Sequence, residues 1–186
     1  MASEQAASSV VRDHLLALLA DEGLEHEETS PGQFVIVLPG QAKLRTTVSV
    51  SIGPEALTVN AFVCRHPDEN AEVVYRWLLQ QNTRMLGIAF ALDRLGDIYL
   101  VGRIPSTDLS RDDLDRLLGA VLRASDESFN RLLRLGFATA IRRERAWRES
   151  RGESLANLAA FLDLGPEPTG STGPDSGPAD AQMGDS

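Results

Sequence analysis

The stretch from Asn82 to Pro105, NTRMLGIAFALDRLGDIYLVGRIP, constrains the fold more than any other part of this chain. It reads as a helix end, a strand, a turn around Gly96 and a second strand. A capped amphipathic helix follows at once. Asn82 suits the left-handed conformation that ends a helix. Ser110 stands three residues before Asp113, which is a capping-box variant. Leu114, Leu117, Leu118, Val121, Leu122, Phe129, Leu132 and Leu133 then continue one apolar stripe. Leu118 and Leu122 are expected to face the core. No pair of residues within the stretch can do chemistry.

Upstream, apolar residues at 11, 15, 16, 18 and 19 mark a helix from about Val10, with Ser8 or Ser9 as N-cap and Gly23 as stop. Phe34 to Leu38 is a short β-branched run between Pro31-Gly32 and Pro39-Gly40, the pattern of a buried strand. Leu44, Thr46, Val48, Val50 and Ile52 alternate with polar residues, as in a strand with one solvated face. Leu57, Val59, Ala61 and Val63 make another, and short turns imply an antiparallel meander. Pro67 to Asn70 opens a second helix, with Asp68 and Glu69 in the first turn, where the dipole favours acids. Val73, Val74, Trp77, Leu78 and Gln81 follow helical spacing. The order is α-β-β-β-α-β-β-α: an α+β fold of two antiparallel sheet pieces with helices on one side.

At 186 residues the chain is one domain with appendages. Three parts are expected: a domain over 8–140, an Arg-rich helical extension over 141–164, and a disordered acidic tail over 165–186. The tail lacks Lys, Arg and large aliphatic side chains, so it cannot offset its ordering entropy. Deleting it should leave the melting temperature nearly unchanged. Four of the acids behind the net charge of −9 lie there (Glu167, Asp175, Asp180, Asp185), so the remainder carries −5. Such a field does not attract nucleic acid. A single cysteine, no signal-peptide pattern and no long apolar run point to a cytoplasmic chain with no membrane contact.

The element order, together with NTRMLGIAFALDRLGDIYLVGRIPSTDLSRDDLDRLLGAVLRASDESFNRLL, resembles the YbjN family of bacterial proteins, which share the fold of type III secretion chaperones. The similarity covers about residues 8 to 137. It rests on Asn82 closing a helix, the strand-turn-strand, Leu109-Ser110 with Leu114 opening the long helix, and Asp126-Glu127 within it. The resemblance implies a non-enzymatic, chaperone-like or regulatory domain, dimeric, that engages another protein. It brings no catalytic residue with it.

The residues themselves offer little chemistry. His14, His26 and His66 are scattered, and Cys64 with His66 lacks a third ligand or an orienting carboxylate. The acid pairs Asp21-Glu22, Glu27-Glu28 and Asp126-Glu127 read as a helix end, a loop and a solvated helix face. No phosphate-binding glycine loop or nucleophile elbow occurs. No catalytic residue, metal or cofactor is expected. Arg142, Arg143, Arg145, Arg148 and Arg151 with Trp147 form the one unusual cluster. Arginine forks suit phosphate or carboxylate and an aromatic can stack on a base, although Glu144 can pair with Arg148 at i,i+4. A homodimer holding an unknown protein partner on apolar surface is the leading expectation, by strand addition at a sheet edge if one is open. An anion- or nucleic-acid-binding regulator through Arg142–Arg151 is the alternative. The partner-binding candidates are Trp77, Arg142, Arg143, Arg145, Trp147 and Arg148.

Overall fold

The computed structural model describes residues 2–107 and 109–165; the tail from 166 onward, whose disorder the composition predicts, lies outside them. The chain forms α1 (Ala2–Asp21), β1 (Glu25–Ser30), β2 (Gln33–Pro39), β3 (Arg45–Ile52), β4 (Ala56–Cys64), α2 (Ala71–Asn82), β5 (Ile88–Leu92), β6 (Ile98–Pro105), α3 (Arg111–Gly136), α4 (Ala138–Arg151) and a 3-10 turn, η1 (Ala156–Phe161).

The expected two sheet pieces are one six-stranded sheet in the order β1-β2-β3-β4-β6-β5, antiparallel throughout. The junction is β4 against β6, where Ala61 pairs with Leu100 and Val59 with Gly102. This long-range pairing joins strands separated by a helix and another strand, so no local pattern announces it. β1 is the strand that the sequence reading misses. Its residues EHEETS carry no apolar alternation because they form an edge, and Glu27-Glu28 lies in that strand rather than in a loop.

One face of the sheet is buried. Phe34, Ile36, Val48, Val50, Leu57, Val59, Ala61, Ile98 and Leu100 point into the core, and α1, α2 and α3 pack over them. A bulge between Phe62 and Cys64 breaks the alternation, so Val63 and Cys64 are both buried. α1 begins upstream of Ser8 and Ser9, which therefore sit inside the helix.

The long helix behaves as its cap predicts. Ser110 accepts from the Asp113 backbone, and Asp113 accepts from the Ser110 N–H at 3.0 Å, a full capping box. The Ser110 hydroxyl, which donates to the Asp113 carboxylate at 2.6 Å, holds that carboxyl down to about 2, helped by Arg116 and the Ser110 N–H. The core stripe of α3 takes one phase of the apolar pattern: Leu114, Leu117, Leu118, Val121, Ser125, Ser128 and Leu132 are buried. Leu118 faces the core as expected, whereas Leu122 lies one residue beyond Val121, about 100° round the helix, and packs only on the flank. Phe129 and Leu133 are displaced in the same way. The stripe continues through serines, and the Ser125 hydroxyl finds its partner there, 3.0 Å from that of fully buried Thr46.

Two loops stitch the helices. Asn70, not Asn82, is the left-handed residue (φ 54), and Thr83 follows α2 in right-handed geometry. Asp68 and Glu69 precede α2 and serve other elements. Their N–H groups donate to the Gly136 carbonyl at the end of α3. The Glu69 carboxylate accepts from Thr139 N at 2.7 Å, satisfying a free donor in the first turn of α4. A side chain at Gly136 would press on Pro67, its Cβ lying 2.9 Å from that of the proline. Residues 141 onward thus continue in a second helix that starts at Ala138.

Candidate functional site

The surface that the fold leaves open lies between the end of α2, the turn 83–87, β5 and α3. The turn closes by Arg84 N–H to Gln81 O at 2.9 Å, and Gly87 (φ 76) reverses the chain into β5. These bonds hold Met85 and Leu86 outside both helix and strand, and Leu86 is 92% exposed. On one side of Leu86 a groove of about 570 Å³ runs over Trp77, Met85, Ile88, Ala120 and Ala124. On the other side a hollow of about 530 Å³ continues over Ile104, Pro105, Leu109 and Leu117. Ala120 and Arg123 of α3 line both. Small side chains on the helix make the depth, and Leu86 divides the length.

Trp77, a candidate from sequence, is half-buried in the first groove, with the Arg131 guanidinium 5.5 Å from its ring. Arg84 and Arg123 stand exposed at the rim, whereas Arg116 is tied to Asp113. A second apolar patch lies round the side of α2, where Leu79 and Leu92 are exposed beside a 90 Å³ hollow over Leu78 and Phe90, and Val73 is exposed on the opposite flank of the helix. The wide stripe read on α2 thus reaches solvent.

The arginine cluster is placed away from this groove, on α4. Three of its guanidiniums bind the chain's own C-terminal segment. Arg142 donates to Gly165 O at 2.8 Å, Arg145 to Leu162 O and Glu149, and Arg148 to Glu144 and Ser154 O. Arg134 Nη1 donates to both carboxylate oxygens of Asp163. Arg151 lies 4.7 Å from the Trp147 ring, and Arg143 is exposed. Arg134, Arg142, Arg145 and Arg148 thus fasten the segment around η1 to α3 and α4.

The remaining titratable groups have local roles. Cys64 is buried, and loss of water pushes its thiol up to about 11, so it is protonated and a poor nucleophile. His66 lies beyond the end of β4 and its backbone N–H donates to Asp97. His14 Nδ1 lies 3.2 Å from Leu109 O. Asp126 is not merely solvated: its Oδ1 accepts the N–H groups of Gln41, Ala42 and Lys43 at 2.8, 2.8 and 2.9 Å. Among the described residues no group of three or more His, Cys, Asp or Glu could hold a metal ion. No helix among them is long and apolar enough to cross a membrane.

Sequence reasoning missed Leu86, Arg84 and Arg123 as surface features. The available signal was the apolar pair Met85-Leu86 lying between a helix end and Gly87, on neither element's buried period.

One antiparallel six-stranded sheet covered on one face by helices defines the class: an α+β secretion-chaperone-like fold. The YbjN family model, "Putative bacterial sensory transduction regulator", matches residues 12–134, and the chain belongs to that family. The uncharacterized protein Rv0487 of Mycobacterium tuberculosis is 50% identical over 137 residues, which is 74% of this chain and 75% of that protein. A chain of the ExsC–ExsE complex superposes with a TM-score of 0.52 at 19% identity, over 67% of this chain and 95% of that one. The type III secretion chaperone SycH of Yersinia pestis, in complex with a fragment of YscM2, gives a TM-score of 0.44 at 19% identity over 61% and 94%. The α+β secretion-chaperone-like fold expected from the element order is the fold the chain has.

Proposed function

We propose that this protein is a non-catalytic, cytoplasmic interaction module, chaperone-like or regulatory, that acts as a homodimer and holds a protein partner in the groove divided by Leu86. The observation that carries this reading is Leu86 itself. A leucine held 92% exposed by a hydrogen-bonded turn, between two hollows, costs hydration free energy unless something covers it. The family description speaks of sensory transduction, and the ExsC chain is found with ExsE; both support a role exercised on another protein. Leu79 and Leu92, exposed side by side, offer the self-complementary patch that a two-fold dimer needs.

Strand addition finds weak support at either edge. The Asn82 carboxamide occupies Phe90 on the free edge of β5, and β1 presents Glu25, Glu27, Glu28 and a bulge. Groove binding of side chains is the route favoured here. The rival reading, an anion or nucleic acid on Arg142–Arg151, loses support because Arg142, Arg145 and Arg148 already bind carbonyls and carboxylates of the chain.

Affinity capture from native extract with the wild type and Leu86→Asp tests the partner half. A protein retained by the wild type and lost by the variant is expected; equal retention counts against the groove. Light scattering at micromolar concentration tests the other half. A dimer that Leu79→Asp converts to monomer is expected, and a wild-type monomer removes the homodimer.

A further inference from the structure

A second cleft lies where α3 runs past the sheet. There α4 and η1 wall a space of about 620 Å³ against the end of β4, lined by Phe62, Phe129, Leu133, Ile141 and Leu158, with Lys43 at its rim. Its volume lies within the roughly 300–1,000 Å³ common for small-ligand sites. Ile141 and Leu158 fall outside the residues matched by the family model, so part of this wall is built by the chain's own C-terminal segment.

The polar groups of the cleft are few. Arg65 is bound in two-pronged fashion by Asp68, and Glu144 by Arg148 at 2.6 Å. Lys43 differs, having no carboxylate partner among the described residues. Its ammonium donates to the Phe62 carbonyl and lies 5.4 Å from the Phe62 ring and 5.9 Å from the Phe129 ring. An ammonium has three donors, so two remain. The Leu158 side of the cleft is held down by the arginine contacts to Leu162, Asp163 and Gly165.

This distribution selects its occupant. A peptide laid along the cleft would strip water from its backbone amides and find few side chains to replace it. An alkyl chain carries no such groups, and a carboxylate at one end meets the two remaining donors of the Lys43 ammonium in a partly desolvated place where charge-assisted bonds are strong. We propose that this cleft binds a free long-chain carboxylate, with the chain over Phe129, Leu133 and Ile141 and the head group on Lys43. This goes beyond the protein-interaction reading and is independent of the groove at Leu86.

Calorimetric titration of the full chain with sodium dodecanoate below its micelle concentration tests it. Saturable binding is expected, weakened about tenfold or more by Lys43→Met through loss of a charge-assisted pair. Dodecanol should bind both forms alike, and butyrate should bind neither. Ile141→Asp, which places a charge under the chain, should weaken dodecanoate and dodecanol together, with melting curves confirming that each variant is folded. Absence of saturable dodecanoate binding overturns the proposal, as does equal affinity in either variant. Should Lys43→Met not fold, the wild type alone decides: dodecanoate must bind more tightly than dodecanol.

Discussion

The side chain of Asn82 treats Phe90 as a neighbouring strand would. Its Oδ1 accepts the Phe90 N–H at 2.7 Å and its Nδ2 donates to the Phe90 carbonyl at 3.1 Å. One residue at the end of α2 therefore fixes the helix against β5 and closes the middle of the sheet edge. Asn82→Ala should cost about 1–2 kcal/mol, the price of two lost bonds at a partly buried site. It should also raise concentration-dependent association through the freed edge. Urea unfolding and size-exclusion chromatography measure the two effects, and an unchanged midpoint would show that the contact contributes nothing.

Asp126 plays a comparable part for the β2–β3 loop, gathering three consecutive N–H groups on one oxygen. Asp126→Ala leaves them without a protein acceptor, and a loss of about 1–3 kcal/mol is expected. Asp126→Asn keeps one acceptor oxygen and should lose less. Hydrogen exchange at Gln41, Ala42 and Lys43 should quicken in the alanine variant. Unchanged protection there would refute the anchoring role.

The phase of the α3 stripe predicts unequal costs for two leucines. Leu118 is 4% exposed and Leu122 only half-buried. Leu118→Ala should cost about 2–5 kcal/mol. Leu122→Ala should cost distinctly less, because part of its surface is already in water. Equal losses on chemical denaturation would place both in the core after all.

Acid should weaken the link between α1 and β1. Arg12 grips Glu28 with two bonds at 2.9 and 2.6 Å, and Gly32 N–H adds a third, which lowers the Glu28 carboxyl from 4.5 to about 2. A depressed folded-state value means that the unfolded chain binds the proton first. The stabilisation is therefore complete above about pH 4.5 and is lost as pH falls towards 2. Melting temperatures between those limits should fall less steeply in Glu28→Gln than in the wild type. Parallel slopes would exclude this pair as a source of the acid sensitivity.

Local physics was legible from residue order. The Ser110 capping box, the alternation of β3, the turn at Gly96 and the amphipathic α3 all follow from which groups neighbour one another along the chain, and the structure has each of them. They sufficed to indicate the fold family. Tertiary structure decided what depends on groups distant in sequence. It paired β4 with β6, made an edge strand of the polar segment Glu25–Ser30, and chose Val121 and Ser125 over Leu122 and Phe129 for the core. It turned Asp126 from a solvated helix-face charge, Glu69 from a first-turn acid of α2 and three α4 arginines from a candidate anion site into anchors for loops and for the segment around η1. A charge in sequence carries no record of which backbone group will come within three ångströms of it. The exposed Leu86 and Lys43, which has no carboxylate partner among the described residues, have the same origin, since what an apolar side chain or an ammonium meets is settled only when the elements pack.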